Sequence, residues 1–194
     1  MRLTTDRLII RDWHPLNDAQ QACDIYGDPR VTRWLSNSAA DSSILITQQR
    51  LQRYCERTDR LGIWAVVETA IDRAIGSILL ISLPNSDKTD SDKIEIGWHF
   101  RSASWGYGYA TEAARALLNY GFTELALPAI YAVTTPDNIR SQQVMARLGM
   151  QCLGSTEAYY NHHLQLYRLS AAHYSSGQLA SMVDSTVSTS VPLT

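Results

Sequence analysis

Two glycines that alternate with tyrosines at a strand–helix junction constrain this chain most. Residues 105–112 read WGYGYATE, between a predicted strand at residues 93–100 and the most regular helical pattern, residues 110–125. Apolar residues recur in that helix at i, i+3, i+4, i+7 and i+8, which is one helical face. Alternating glycines let the backbone approach a ligand closely, and the helix that follows offers unpaired N–H groups and a positive dipole end. The segment therefore predicts a cradle for a phosphate or pyrophosphate.

Two other phosphate-binding motifs do not fit these residues. A Walker A loop needs a lysine before its Ser or Thr, and no lysine lies near this loop. A dinucleotide-binding fingerprint needs a third glycine where Thr111 stands, and an acidic residue about twenty positions later. The alternative of a turn whose glycines only pack a strand against a helix stays open at this point.

Composition narrows the class of protein. The chain has 194 residues, 45% of them hydrophobic, which suits one domain with a sizeable core and argues against disorder throughout. Its 17 Lys and Arg against 19 Asp and Glu give a net charge of -2, which argues against a nucleic-acid binder. The apolar runs are too short to span a bilayer, and the start lacks the apolar core of a signal peptide. The three cysteines are odd in number and form no CxxC pair, which argues against a disulfide framework and a zinc site. Together these features predict a cytoplasmic protein without a metal site, a nucleic-acid partner or membrane contact.

The remaining patterns predict an α+β, or mixed α/β, fold in a single domain over residues 1–174. The expected strands are residues 7–13, 63–68, 74–83, 93–100, 130–134, 151–160 and 164–171. The expected helices are residues 15–26, 42–57, 110–125 and a last one capped by Asp137 or Asn138 and ending at Leu148. Ile44, Leu45, Leu51 and Tyr54 are the expected buried positions of the second helix. About seven strands in a mainly antiparallel sheet then carry four helices on its faces, followed by a loosely ordered Ser/Thr-rich tail, residues 175–194.

From residue 5 to about residue 174 the chain resembles the GCN5-related N-acetyltransferases, and within them the branch that acetylates ribosomal-protein N-termini. The pyrophosphate loop of that family reads [QR]-x-x-G-x-[GA], and residues 105–110 fill its six places. Trp105 departs from the first place, although tryptophan is common there in the ribosomal-type branch. Residues 5–11, 95–98, 138–141 and 147–150 resemble the family's first strand, fourth strand and last helix, in the right order.

The resemblance implies that acetyl-CoA lies where the fourth and fifth strands splay apart. The pyrophosphate would rest on the amides of Gly106, Tyr107, Gly108, Tyr109 and Ala110, with the Thr111 hydroxyl beside them. The pantetheine arm would pair with the backbone of Trp98, His99 and Phe100, where an N–H group would also hold the thioester oxygen. No metal ion is implied.

The implied reaction is direct attack by a neutral amine on the thioester carbonyl. By resemblance, Asn138 and Ser141 face the thiol end of the cofactor, and Ser141 is the candidate that hydrogen-bonds or protonates the sulfur. Asn138, Ser141 and Met145 are spaced i, i+3 and i+7, so they share one helical stripe. The alternatives are that Asn138 only caps its helix and that Ser141 only bonds the carbonyl one turn back.

Glu95 is the first candidate for the base that deprotonates the amine. Strand alternation places it opposite Ile94 and Ile96, facing either the cleft or solvent. His99 shares that face and is the second candidate. The neighbouring pair His162–His163 is expected in or near a turn, without metal, where it either contacts the substrate or is solvated. Tyr159 and Tyr160 either flank the acceptor site or, as is usual for aromatic residues on paired strands, only pack.

The function predicted is therefore acetyl-CoA-dependent N-acetylation of a primary amine, which is a protein N-terminus or a small molecule such as an amino acid, polyamine or antibiotic. A non-catalytic acyl-CoA-binding module and a nucleotide-binding protein are the other classes. The acceptor side, through Arg30, Arg33 and Trp34, is neither strongly acidic nor strongly basic, so the acceptor stays open. A monomer and a homodimer are both compatible with the sequence.

Overall fold

The centre of the computed structural model is an eight-stranded sheet in the order β1-β2-β3-β4-β5-β6-β8-β7. The structure describes residues 1–35, 39–57, 60–87, 89 and 91–176. The strands are β1 Arg2–Thr4, β2 Leu8–Arg11, β3 Gly62–Glu68, β4 Arg73–Ser82, β5 Ile94–Phe100, β6 Ala129–Thr134, β7 Gln151–Thr156 and β8 Leu164–Ser170. The helices are α1 Ala19–Tyr26, α2 Pro29–Thr32, α3 Ile44–Cys55, α4 Tyr109–Asn119 and α5 Ile139–Arg147. Residues 171–176 add a short terminal helix.

The sheet is antiparallel at every pairing except one. The mainly antiparallel sheet that the sequence predicts is confirmed, and β3, β4 and β5 pair in sequence as antiparallel neighbours. Strands β5 and β6 are parallel and join at one register pair only, Glu95 with Tyr131. The single domain of mixed α/β class, splayed between its predicted fourth and fifth strands, is thus confirmed.

The central strands bury both of their faces, because helices cover the sheet on two sides. In β3, Trp64 and Val66 join the core beneath α4, which includes Leu117 and Ile130. The alternate residues Ala65 and Val67 join a second core with α1 and α3, which includes Trp13, Ile25 and Leu51. Near-continuous burial of this kind explains why β3 and β4 read as apolar runs instead of alternating patterns.

The structure differs from the expectation in the number and length of elements. The described residues form eight strands and not seven, because the three-residue strand β1 pairs with β2. The short helix α2 was not expected, although Asp28 caps it and Pro29 occupies its first turn. The helix expected over residues 110–125 ends at Asn119, and a π-helical turn, Tyr120–Glu124, follows. Gly121 in that turn lies so close to β6 that a Cβ would stand 2.6 Å from Ile130 Cδ1.

The expected burial of Ile44 and Leu45 is wrong. The helix α3 begins at Ile44, capped by the Ser43 hydroxyl, and the side chains of Ile44 and Leu45 are 42% and 62% exposed. The inward face of α3 is instead set by Thr47 and Leu51, one turn apart.

The last two strands are shorter than expected. The strand predicted over residues 151–160 ends at Thr156 as β7. Tyr160 and Asn161 have φ of 58° and 55°, a left-handed pair that forms a turn before β8 begins at Leu164. Tyr160 therefore lies in the turn and not on a strand, but its side chain still packs against the small core around Tyr159, as the sequence favoured. Of the predicted tail, residues 177–194 lie outside the described residues.

The start of α4 is fastened to the N-terminal strands by the carboxylate of Glu112. Its oxygens accept hydrogen bonds from Thr5 Oγ1 at 2.6 Å, Arg7 N at 3.0 Å and Arg7 Nε at 2.7 Å. The Arg7 guanidinium also forms an ion pair with it at 2.6 Å. Partial burial raises the pKa of Glu112, but the hydrogen bonds from Thr5 and Arg7 outweigh this and leave the pKa below its ordinary value.

We predict that Glu112→Gln lowers the free energy of unfolding at pH 7 by about 1–2 kcal/mol, since charge-assisted hydrogen bonds become neutral ones. Because the pKa of Glu112 is lowered on folding, this difference should be full above the ordinary carboxyl range and shrink as the pH falls through it. Urea unfolding at several pH values measures it. Glu124→Gln, an exposed acid elsewhere in the same region, is the control. Equal effects from the two variants would contradict the role assigned to Glu112.

Candidate active site

A cleft opens where β5 and β6 part. Its volume is about 1710 Å³. The two strands join at Glu95 and Tyr131 and separate toward their carboxyl ends, where α4 and α5 begin. Both helix N-termini and the open edges of two parallel strands therefore face one space, which is the usual place for a ligand in a parallel arrangement.

The loop predicted as a phosphate cradle forms one end of this cleft. Gly106 and Gly108 have φ of 87° and 82°, a region that glycine alone adopts readily. The first hydrogen bond at the start of α4 joins Glu112 N to Gly108 O at 3.0 Å, and no side chain of a described residue caps the helix. The N–H groups of Tyr109, Ala110 and Thr111 are thus left for a ligand, and they fit an anionic group.

Contacts with Arg7, before β2, and with Glu68, at the end of β3, support the cradle. Arg7 Nη1 donates to Tyr107 O at 3.0 Å, and Tyr109 Oη donates to Glu68 Oε1 at 2.5 Å. Tyr107 offers only its backbone to a ligand, because its side chain is 63% exposed and stacks on Tyr109 outside the cleft. The loop is therefore positioned by residues distant in sequence.

Trp105 and Arg140 close the gap beside the cradle. Trp105 Nε1 donates to Phe100 O at 2.8 Å, which fixes the indole at the end of β5. The Arg140 guanidinium reaches from α5 to lie 4.7 Å from the centre of the Trp105 ring, and both residues line the cleft. Arg140 makes no ion pair with any described residue, whereas Arg7 is compensated by Glu112. This end of the cleft therefore carries a positive charge suited to phosphates.

The edge of β5 forms the middle of the cleft. Trp98, His99 and Phe100 pair with β4 on one side, and beyond Glu95 no described strand pairs with their other edge. An extended ligand fits beside such an edge as an added strand. On the opposite wall, the hydroxyl of Thr135 is buried without a partner among the described residues. A buried unpartnered hydroxyl fits a polar ligand group.

The start of α5 brings Asn138 and Ser141 to the cleft, as expected. Asn138 Oδ1 accepts a hydrogen bond from Ser141 N at 3.3 Å, so Asn138 does cap the helix. The Ser141 hydroxyl forms no hydrogen bond with any described residue, including the carbonyl one turn back. Val144 and Met145 continue the stripe and are buried.

Glu95 lies inside the cleft wall, and Tyr160 holds it. The Glu95 side chain is buried, and Tyr160 Oη donates to its Oε2 at 2.5 Å. Burial raises the pKa of Glu95 to about 7, while the hydrogen bond from Tyr160 acts in the opposite direction. Burial and the adjacent carboxylate also raise the pKa of Tyr160, so the phenol stays protonated. Glu95 can therefore gain or lose a proton near neutral pH, while Tyr160 keeps its own.

His99 lines the same cleft, four residues after Glu95 and on the same face of β5. Its Nδ1 lies 3.4 Å from Tyr26 Oη, and the Tyr26 ring packs edge-on against it. Burial, reinforced by the nearby charge of Arg50, lowers the pKa of His99 to about 4. His99 is therefore neutral at physiological pH. Of the two turn histidines, His162 lines the cleft and His163 faces Glu157, 3.6 Å away.

The residues proposed from sequence thus line one cleft, with the Tyr107 side chain as the exception. Sequence reasoning missed Arg140, which the structure brings to Trp105, and it missed the pairing of Tyr160 with Glu95, although it offered Tyr160 as a residue that could flank the acceptor site. Tyr160 carried a weak signal, since the segment YYNHH has the polar residues of a turn. Arg140 carried none, because an exposed arginine on a helix is ordinary.

The comparisons with known proteins settle the family. A family model described as an acetyltransferase (GNAT) domain matches residues 7–151. The chain belongs to the GNAT acetyltransferase family. It is similar to the uncharacterized N-acetyltransferase YnaD of Bacillus subtilis, with 30% identity over 78% of this chain and 83% of that protein. The family match and the N-acetyltransferase relative together show that this chain is an acetyl-CoA-dependent acyltransferase.

Solved structures share the fold. An acetyltransferase of the GNAT family from Bacillus anthracis covers 89% of this chain and 99% of its own, with a TM-score of 0.74 at 23% identity. A ribosomal-protein-S5-alanine acetyltransferase from Vibrio fischeri covers 90% of this chain and 98% of its own, with a TM-score of 0.67 at 16% identity. None of the helices in the described part of the GNAT chain is long and apolar enough to cross a membrane.

We predict that Gly106→Ala weakens binding of coenzyme A at least tenfold, because the positive φ that aims the loop amides is costly for alanine. Gly154→Ala is the matched control: Gly154 has φ of 96° and, like Gly106, has no atom within 4 Å of an added Cβ, but it lies in β7 outside the cleft. Both variants should lose about 1–2 kcal/mol of stability. Calorimetric titration with coenzyme A distinguishes them, and equal affinities would show that the loop does not hold the phosphates.

Proposed function

We propose that this GNAT chain transfers the acetyl group of acetyl-CoA to a primary amine by direct attack within the cleft between β5 and β6. The observation that carries the proposal is that one cleft joins the amide cradle before α4 to the buried Glu95–Tyr160 pair. The first suits a pyrophosphate and the second suits removal of a proton.

When bound, acetyl-CoA supplies an activated acetyl thioester. The cradle amides and Arg140 hold its phosphates, and the edge of β5 at residues 98–100 aligns its arm. A backbone N–H of that edge polarises the thioester carbonyl, an effect commonly worth about 3 kcal/mol per donor. Asn138 holds the first turn of α5 in place, so that the Ser141 hydroxyl points to the sulfur.

Glu95 is the proposed base. A carboxylate with a pKa near 7 accepts the proton of an arriving ammonium and still ionises at neutral pH. Tyr160 orients the carboxylate and keeps part of it ionised, because its hydrogen bond lowers the pKa of Glu95. Since His99 is neutral and poorly basic, we propose it as a wall of the site and not as the base.

A protein N-terminal amine and a small-molecule amine are the two acceptor classes. The first is supported by the fold shared with an enzyme named for ribosomal protein S5 alanine. The second is supported by Arg33, a cleft-lining cation that no described carboxylate compensates. The catalytic domain over residues 1–174, the cytoplasmic location and the choice between monomer and homodimer stay predictions.

A thiol-release assay with acetyl-CoA and a panel of amines and peptides tests the proposed function. Release that depends on an acceptor is the expected result. Tight binding of acetyl-CoA without release for any acceptor would favour a non-catalytic binding module. Competition by ATP as strong as that by coenzyme A would favour a nucleotide-binding protein.

We predict that kcat/KM for the amine rises with pH up to about 7 and contains a step that Glu95→Gln removes. The carboxylate form is the active one, and its pKa sets the midpoint of the step. Tyr160→Phe should move the midpoint upward, because the hydrogen bond that lowers the pKa of Glu95 is gone. Rate profiles from pH 5 to 9 measure both shifts. An unchanged step in Glu95→Gln would assign the base elsewhere.

We predict that Ser141→Ala lowers kcat by about tenfold to a hundredfold and leaves KM for acetyl-CoA nearly unchanged, because the hydroxyl acts on the leaving thiolate. Steady-state kinetics separate the two constants. Ser42→Ala, an exposed serine before α3, is the control and should match the wild type. A rise in KM with constant kcat would limit Ser141 to binding.

A further inference from the structure

The half of the cleft away from the phosphate cradle is walled mainly by aromatic and aliphatic side chains. They belong to the segment that contains α1–α3, to the turn before β8 and to the first residue of β8: Tyr26, Trp34, Leu35, Tyr54, Tyr160 and Leu164. We call this half the acceptor half. Walls of this kind accept the apolar body of a small molecule, and the few charged groups among them fix its orientation.

One of the arginines in the acceptor half is structural. Arg50 Nη2 and Asp41 Oδ1 are 2.6 Å apart, and the Asp41 side chain is 3% exposed. The Arg50 guanidinium also lies 4.6 Å from the centre of the Tyr26 ring. Because Asp41 compensates it within the fold, Arg50 offers little net charge to a ligand.

Arg33 is different, because no described carboxylate compensates it. Its guanidinium stacks 4.4 Å from the centre of the Trp34 ring, and both residues line the cleft. A guanidinium stacked on a ring keeps its N–H groups in its own plane, where they bind a carboxylate through two parallel hydrogen bonds. The neighbouring Arg30 instead forms an ion pair with Asp28 at 2.9 Å and does not line the cleft.

Only one acidic residue of the described cleft lining lies in the acceptor half, and it is Glu95. The other two, Asp6 and Glu112, belong to the phosphate end, where Glu112 binds Arg7. The acceptor half therefore has a proton-accepting carboxylate in its wall and an uncompensated cation at Arg33. This polarity complements a molecule that carries an amine and an anionic group.

We propose that the acceptor is a small primary amine that also carries a carboxylate, with the amine at Glu95 and the carboxylate at Arg33. The inference rests on the proposed function, since it names the substrate class of the same cleft. A polyamine would bring surplus positive charge to Arg33, and like charges disfavour binding. A peptide N-terminus has an amide in place of the carboxylate and leaves Arg33 unused.

The experiment compares carboxylated amines with their neutral isosteres. Purified full-length chain is assayed for thiol release from acetyl-CoA with L-phenylalanine, L-methionine and 4-aminobutyrate, and with the primary amide of each. Spermidine and a C-terminally amidated peptide that begins with alanine complete the panel. Each acceptor is tested with the wild type, with Arg33→Gln and with Arg30→Gln, which removes the same charge from the same segment outside the cleft.

We expect at least one carboxylated amine to exceed its amide in kcat/KM by roughly tenfold or more in the wild type. Arg33→Gln should abolish that preference by lowering kcat/KM for the carboxylated amine alone, and Arg30→Gln should keep it. Higher kcat/KM for spermidine, for the peptide or for the amides overturns the inference, as does an unchanged preference in Arg33→Gln. Binding of acetyl-CoA with no turnover of any carboxylated amine also overturns it. Failure to bind acetyl-CoA would instead contradict the proposed function.

Discussion

The parting of β5 and β6 is the constraint on which the remaining structure depends. Each strand is fully paired on its other side, β5 with β4 over seven register pairs and β6 with β8 over six. Between them only Glu95 and Tyr131 meet. The gap is therefore built into the sheet and does not need to be opened by a ligand. Because the two strands are parallel, both helices that follow them begin at the same gap, which concentrates unpaired N–H groups there.

Burial raises the pKa of one titratable group in the cleft wall and lowers the pKa of the other, and both shifts favour the neutral form. Desolvation disfavours the charged form, so it raises the pKa of Glu95 and lowers the pKa of His99. Both groups spend part or all of their time neutral at pH 7. Apart from Arg50, which Asp41 compensates, the middle of the cleft thus carries only the partly ionised Glu95 at pH 7, while Arg140 and Arg33 lie toward its two ends. A base that is partly ionised at this pH can take the ammonium proton and leave the neutral amine, which is the form that attack on a thioester requires.

The sequence predicted the features of the candidate site that depend on residues close together in the chain. Alternating glycines before a helix predicted the cradle, and strand alternation placed Glu95 opposite Ile94 and Ile96. The partners of these groups escaped prediction, because they depend on distant contacts: Tyr160 lies 65 residues from Glu95 in sequence. The exposure of Ile44 was not predicted for another reason: Ile44 is the first residue of α3, and a residue at this position need not lie on the face that the later turns of the helix bury.

The conformation of the cradle also depends on residues that are distant from it in sequence. Its glycines permit the required backbone, but Arg7 holds Tyr107 O, and Glu112 ties the first turn of α4 to the N-terminal strands. Tyr109 adds a contact to Glu68 on β3. Preorganised amides bind an anion well only if they do not rearrange when it arrives, so these contacts should matter for affinity through the backbone that they hold in place. A chain with the same glycine loop but without Arg7 and Glu112 would possess the motif and lack the rigidity that an anion-binding site requires.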